Sequence, residues 1–538
     1  MGLSVRHWRS GTRCPYREVS GAAAMQQEVD VSLSAPPRGR TRRLLGMAAL
    51  VFVIALLLVL YMGLWKGIWF DELLHYAMGG MTFEYVIKTI DYTTMHVNHG
   101  QTGVYFLLDW LLMQVAGASA LALRLPSIIS AFVMLVAAVL FIRAKGFGRT
   151  WQIIVVLAIG ANETLMFYTG EARPYMPLAA SAAAILTFYA LSPAERKTWW
   201  ARLLALFGFC FGAVIHPYWS FTWVLLAAFS LALVLISEPG SRTLARAWHF
   251  LAPVYVIPSV VLYLVVGKLT WMRHIINFGW NPDEIYNWPL TANAFMQDHF
   301  SFVPYAYPPR FDTGQLDIGL RAPLVAAALA LITVVWLVVD RRSRSIRLLP
   351  PLLLFVLATL TSVIATYLSY RSLYYVFERQ WVAGMALTAI AATWFFAEWW
   401  RNVGAGARVR RIPAVIFVGL VIVSFVISIA SQAAMTVRRA ELWKSAERDT
   451  RSVSELIANP AEESFLYEPR NGYEYAADVN IARGGPVWEV FVRWYNKEAG
   501  MRKEFRESDW NWTTNIWPDP APQSFLCLPE REWECPTP

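Results

Sequence analysis

The chain has 538 residues, of which 57% are hydrophobic and only 16% charged, and its mean hydropathy is +0.40, a composition that excludes an ordinary water-soluble protein. Its formal net charge of +9 does not point to nucleic acid, because the basic residues fall in short clusters between apolar runs, the arrangement of membrane topology. The 25 Trp and 23 Tyr are the amphipathic aromatics that gather where helices leave hydrocarbon and meet headgroups.

Residues 1–43 read as a disordered basic cytoplasmic tail, with Pro36 and Pro37 leading into an Arg-rich stretch that ends at Arg43. No small-residue cleavage site follows the first apolar run, so the first helix is expected to stay as an anchor. A hydrocarbon core takes roughly 20 helical residues, somewhat fewer where ends snorkel. By that ruler about eleven segments span: Leu44–Leu64, Leu121–Ile142, Ile153–Tyr168, Met176–Leu191, Trp200–Ile215, Phe221–Ile236, Phe250–Val266, Ala322–Val339, Leu349–Leu368, Trp381–Phe396 and Ile412–Ile429. Thr102–Ala116 is apolar too, but it is interrupted by Asp109 and flanked by Gly103 and Gly117, so it reads as an interfacial helix. No internal repeat is visible.

Lys and Arg in short loops are held on the cytoplasmic side, and every second loop here is basic. After the amino terminus come Arg143, Lys145 and Arg149; Arg196, Lys197 and Arg202; Arg242 and Arg246; Arg341, Arg342, Arg344 and Arg347; then Arg401, Arg408, Arg410 and Arg411. The amino terminus is therefore expected inside and the carboxyl terminus outside. Three features then face outward: a loop over residues 65–120, a loop over residues 267–318, and a tail from Ser431. The tail mixes Pro, Gly, acids and aromatics, with Ser464–Glu468 and Val487–Trp494 as expected strands, and reads as a small α/β domain over 431–538. The domain order is a tail (1–43), a membrane domain (44–430) and an extracytoplasmic domain (431–538).

Among Cys14, Cys210, Cys527 and Cys535 there is neither zinc spacing nor a Cys-x-x-Cys motif. Only Cys527 and Cys535, both on the oxidising side, are placed to form a disulfide.

The strongest chemical signal is Asp71-Glu72, directly after the first helix. A carboxylate at the lipid boundary is ionised and close to a lipid-borne substrate, as a base that activates an acceptor hydroxyl must be. An acidic N-cap on the next helix is the plainer alternative. His96 and His99, three apart before the interfacial helix, have the spacing to share a metal, to bond a phosphate or to cap a helix. In Glu171-Ala172-Arg173-Pro174-Tyr175, Pro174 suits the first turn of a helix. Glu171 and Arg173 make either an ion pair or, through the guanidinium, a grip on phosphate oxygens. Arg371 and Arg379 lie on the outer side against the charge bias, which invites either a functional role or headgroup anchoring. Glu163 and His216-Pro217-Tyr218 read as packing or polar pairing ahead of catalysis.

With these residues in view, the chain resembles the GT-C membrane glycosyltransferases, the superfamily of protein O-mannosyltransferases and of the transferases that add aminoarabinose to lipid A. The likeness covers roughly residues 44–400. It rests on Asp71-Glu72, on Ala122-Leu123-Arg124-Leu125-Pro126-Ser127, and on Glu171-Ala172-Arg173-Pro174-Tyr175. Many relatives carry His-Pro-Pro where this chain reads Asn98-His99-Gly100, and Arg-Tyr where it reads Arg379-Gln380.

The resemblance implies a GT-C-type helical bundle in a bacterial inner membrane, with a periplasmic carboxyl-terminal domain. It implies an enzyme that moves a sugar from a polyprenyl-phosphate donor to a cell-envelope glycan, lipid or protein acceptor, usually with inversion. Asp71 would be the base and Glu72 its support. His99, Arg124, Glu171, Arg173, Tyr175 and Arg379 would bind substrate, with Arg173 and Arg379 at the donor phosphate. A divalent cation held by Asp71 with His99 is left open. Trp271, Trp280, Tyr286 and Trp288 suit the outer loop to closing over a sugar and excluding water. The rival from another class is a transporter or flippase, for which repeated halves and broken helices are the expected signs. A non-catalytic scaffold is the third reading.

Overall fold

The computed structural model describes residues 75, 83, 86, 87, 103–117, 120–237, 254–266, 295, 296, 298–301, 346–371, 378–402 and 411–448. The amino-terminal tail, the expected spans at 44–64 and 322–339, the aromatic part of the second outer loop and the two expected strands lie outside the described residues.

The described residues are helical. In chain order the helices are α1 Val104–Ala116, α2 Ala120–Ala144, α3 Arg149–Gly160, α4 Glu163–Thr169, α5 Tyr175–Ala190, α6 Trp199–Ala205, α7 Gly212–Ile215, α8 Trp219–Ser237, α9 Val256–Val266, α10 Leu349–Arg371, α11 Val382–Asn402 and α12 Ile412–Arg448. Four segments among the described residues are long and apolar enough to cross a membrane alone: Leu121–Ala144, Leu349–Ser369, Arg379–Arg401 and Ile412–Ala430. Helix α12 runs on past the expected end of the last span, as far as Arg448.

Helix α1 has 13 residues and is therefore about 20 Å long, shorter than the roughly 30 Å hydrocarbon core. Both flanking glycines are in the left-handed region, Gly103 at φ 74° and Gly117 at φ 81°, which only glycine adopts without strain. The two residues that marked the ends of this helix in the sequence are thus the ones that turn the chain there.

The expected span Ile153–Tyr168 is not one rod. Helices α3 and α4 meet at an angle of 78°. Asn162 makes the break: its Oδ1 caps α4 by accepting from Leu165 N at 2.8 Å, and its Nδ2 donates to the Asp298 carbonyl at 2.7 Å. Thr164 donates to Asp298 Oδ1 at 2.9 Å. Ser428 of α12 supplies a donor to the Gly160 carbonyl at 3.2 Å, serving a group that the broken ladder would leave short. Hydropathy could not reveal the break, because Asp298 and Ser428, which serve its polar groups, are remote in sequence.

The expected span Trp200–Ile215 is continuous from Trp199, but Leu206–Phe211 is wound as a π-helix. The Trp219 indole donates to the Gly208 carbonyl at 2.9 Å, and a Cβ on Gly212 would lie 2.6 Å from Trp219 Cδ1. The bulge thus seats a buried indole that an α-helix with a side chain at 212 would exclude.

Helix α5, rich in Ala, is the centre of the bundle and packs on α2, α8 and α11. Small side chains let the backbones approach. Helix α11 is almost wholly buried, whereas the Ile412–Ala430 part of α12 is only 28% buried, with Val415, Ile416, Ile422, Val423 and Val426 on its outside. Apolar side chains on an outer face are what lipid solvates.

Among the described residues, the basic turn after α2 meets the basic end of α11 at one end of the bundle. Arg401 donates to the Lys145 carbonyl at 2.9 Å and lies 3.8 Å from the Phe147 ring centroid; Lys145 sits 4.7 Å from that of Trp394. The turns that carry the candidate site are at the other end.

Candidate functional site at one end of the bundle

Five turns meet at that end: the start of α2, the connection from α4 to α5, the break between α7 and α8, the end of α10 and the turn leading into α11. A short helix of 3₁₀ type, Glu378–Trp381, carries Arg379. Side chains on α10 hold this turn on both sides. Ser369 donates to Gln380 Oε1 at 2.8 Å, and the Trp381 indole donates to Thr366 Oγ1 at 2.9 Å. Arg379 directly precedes the two anchored residues, and its guanidinium lies 5.6 Å from the centroid of the Tyr175 ring.

Tyr175 is the first residue of α5, with Pro174 as its N-cap. Its ring is 5.4 Å from Tyr168 and 5.6 Å from His216. His216 has an extended backbone, φ −153° and ψ 136°, and occupies the break between α7 and α8. Its Nδ1 accepts from Tyr218 N–H at 3.1 Å. A backbone N–H can only donate, so Nδ1 is unprotonated and the ring proton is on Nε2. Burial, then the neighbouring charge of Arg379, pushes the His216 pKa down to about 3, which leaves the ring neutral at ordinary pH.

Ser369 gives its one proton to Gln380, so Tyr218 is the donor in the 3.4 Å contact between Tyr218 OH and Ser369 Oγ. A continuous run from His216 through Tyr218, Ser369 and Gln380 therefore fixes the turn of His216 relative to that of Arg379.

The charged residues of the site are all buried. Arg124 and Arg173 are 0% and 1% exposed, while Arg379 and His216 keep 7% and 5%. Glu171 is fully buried as well. Buried charges persist only when compensated inside the fold, and Arg124, Glu171, Arg173 and Arg379 are all of this kind. Ser127, three residues after Arg124 and on the same helical face, donates to the Arg173 carbonyl at 3.1 Å. That bond ties the start of α2 to the turn before α5. With its proton so used, Ser127 Oγ accepts from the Tyr105 hydroxyl at 2.8 Å, and α1 joins the same frame.

The sequence reading missed one pair. His75 and Asp109 are both fully buried and bonded through His75 Nδ1 and Asp109 Oδ2. The His75 ring stacks on Phe106 at 4.1 Å and meets Tyr105 edge-on at 5.3 Å. Asp109 was visible as the one acid in an apolar helix, but its partner is 34 residues away. Asp109→Leu should cost about 1–3 kcal/mol by leaving a buried imidazole donor unmatched, and the double variant with His75→Phe should recover most of that loss. Thermal unfolding in detergent reads both; an unchanged midpoint for Asp109→Leu would remove the pair from the frame.

Asp71, Glu72 and His99 lie outside the described residues, as do the cation site suggested for Asp71 with His99 and the Cys527–Cys535 pairing. Among the described residues no three His, Cys, Asp or Glu side chains are grouped to hold a metal ion. Glu163 is the first residue of α4, where an acid favours the amino end of a helix.

No family model matches the chain, and no curated protein matches it. Among solved structures it is similar to the crystal structure of ArnT from Cupriavidus metallidurans bound to undecaprenyl phosphate, with 14% identity and a TM-score of 0.39 over 75% of this chain and 80% of that one.

Proposed function

We propose that this chain is a GT-C-type membrane glycosyltransferase that moves a sugar from a polyprenyl-phosphate donor to a cell-envelope glycan, lipid or protein acceptor on the extracytoplasmic face, with inversion. The observation that carries the reading is the meeting of Arg379, Tyr175 and His216. Three distant segments bring a guanidinium, a phenol ring and an imidazole together at one end of the bundle. A polyprenyl phosphate cannot leave the bilayer, so its headgroup must be met by residues at helix ends.

In this reading Asp71 takes the proton of the acceptor hydroxyl as that oxygen attacks the anomeric carbon. The bond from that carbon to the phosphate oxygen breaks, and its electron pair leaves with the phosphate. Arg379 stabilises the charge that develops there. Glu72 supports Asp71, His99 and Tyr175 line the sugar and headgroup, and Arg124, Glu171 and Arg173 hold the turns in place. The outer loop is docked through Asp298 and His299. His299 Nδ1–H donates to the Phe295 carbonyl at 2.9 Å, and its Nε2 accepts from Ser362 at 2.8 Å.

The break between α3 and α4 favours one second reading, a transporter or flippase of a lipid-linked or small-molecule substrate, since broken helices line such pathways. The two are separated by supplying membranes containing the protein with a panel of radiolabelled polyprenyl-phosphate sugars and an envelope extract. The transferase predicts label in a new covalent product. Label that crosses the bilayer still attached to its lipid, with no such product, would replace this reading by the transporter.

A further inference from the structure

His216 was read from sequence as packing or polar pairing, and the fold brings it beside Tyr175 in the site. We infer that His216 donates its Nε2–H to a phosphate oxygen of the donor lipid, beside Arg379, so that one cation and one neutral donor hold the headgroup. The inference rests on the glycosyltransferase reading and names a further residue of that site.

Three observations carry it. Tyr218 N–H occupies Nδ1, so the proton must sit on Nε2 whatever else binds. The ring adjoins Tyr175, which in turn carries Arg379, and the bonded run through Tyr218, Ser369 and Gln380 keeps the two donors in fixed relation. The imidazole stays neutral under burial and the Arg379 charge, and a neutral donor suits this chemistry. The donor is a phosphodiester with a single negative charge, which one guanidinium neutralises. Its product is a monoester that gains further charge as the sugar leaves. A neutral N–H stabilises that developing charge without retaining the product as a second cation would.

The test uses the full chain purified in detergent, with undecaprenyl phosphate and uncharged undecaprenol as probes and tryptophan fluorescence as the readout of binding. His216→Phe keeps a ring against Tyr175 and Tyr218 but removes the N–H. It should weaken undecaprenyl phosphate binding about tenfold and leave undecaprenol binding unchanged, while the unfolding midpoint falls because the Tyr218 N–H also loses its acceptor. His216→Gln, whose amide N–H reaches near the Nε2 position, should restore most of the loss. Equal weakening of undecaprenyl phosphate binding by both variants would overturn the inference in favour of packing. So would wild-type affinity in His216→Phe, and the lipid-phosphate reading would stand. A wild-type protein that bound the two lipids alike would overturn both. Displacement of the lipid by inorganic phosphate at comparable affinity would assign the subsite to free phosphate and overturn the lipid assignment.

Discussion

Arg379→Lys will lower kcat/KM for sugar transfer by about two to three orders of magnitude, with most of the loss in kcat. Lysine keeps the charge, so a site that needed only a cation near the membrane would tolerate it. The geometry asks for more. The guanidinium lies 5.6 Å from the centroid of the Tyr175 ring, an arrangement that favours a flat, weakly hydrated cation with paired donors. An ammonium at the same place is a strongly hydrated point charge. The turn that carries residue 379 is held by Gln380 and Trp381, which the variant leaves intact, so the unfolding midpoint should hardly move. Steady-state transfer kinetics and a thermal melt on one preparation decide it. Activity within threefold of the wild type, with the fold intact, would remove Arg379 from the leaving phosphate.

Asp71→Asn will lower turnover by about 10²–10⁴-fold, the largest effect expected of any single substitution here. Asparagine has the size of the acid and still accepts a hydrogen bond, but it cannot take a proton from the acceptor hydroxyl. The affinity for undecaprenyl phosphate should stay as in the wild type, because the base acts on the acceptor and not on the lipid headgroup. Wild-type activity should fall on the acid side as the carboxylate protonates, and the residual activity of Asp71→Asn should lack that limb. Transfer measured at matched expression across pH reads both features. Equal turnover by the two proteins would leave Asp71 as the helix cap that its position also allows.

The candidate residues were legible from sequence in unequal degree. Arg379 stood out because it breaks the charge bias of the loops. Arg173 stood out for its place at a helix end, yet at 1% exposure it supports the site from within. Charge pattern reports which end of a helix a residue occupies; it does not report how deeply the neighbouring turns cover it. His216 was undervalued for a related reason: its value comes from Tyr175 and Arg379, which no local motif joins to it.

By itself the sequence determined that this is a helical membrane protein, where most of the described helices begin and end, and that α1 is a short helix bounded by Gly103 and Gly117. These follow from hydropathy, chain length and backbone freedom, all of which act locally. Only the tertiary structure decided that α3 and α4 break at Asn162, that Leu206–Phe211 winds as a π-helix around an indole, that His75 meets Asp109, and that Arg379, Tyr175 and His216 come together. Each of those depends on hydrogen bonds or ring contacts between residues far apart in the chain. Such contacts form only after the apolar faces of the helices have packed, and so they leave no periodic trace in the order of the residues.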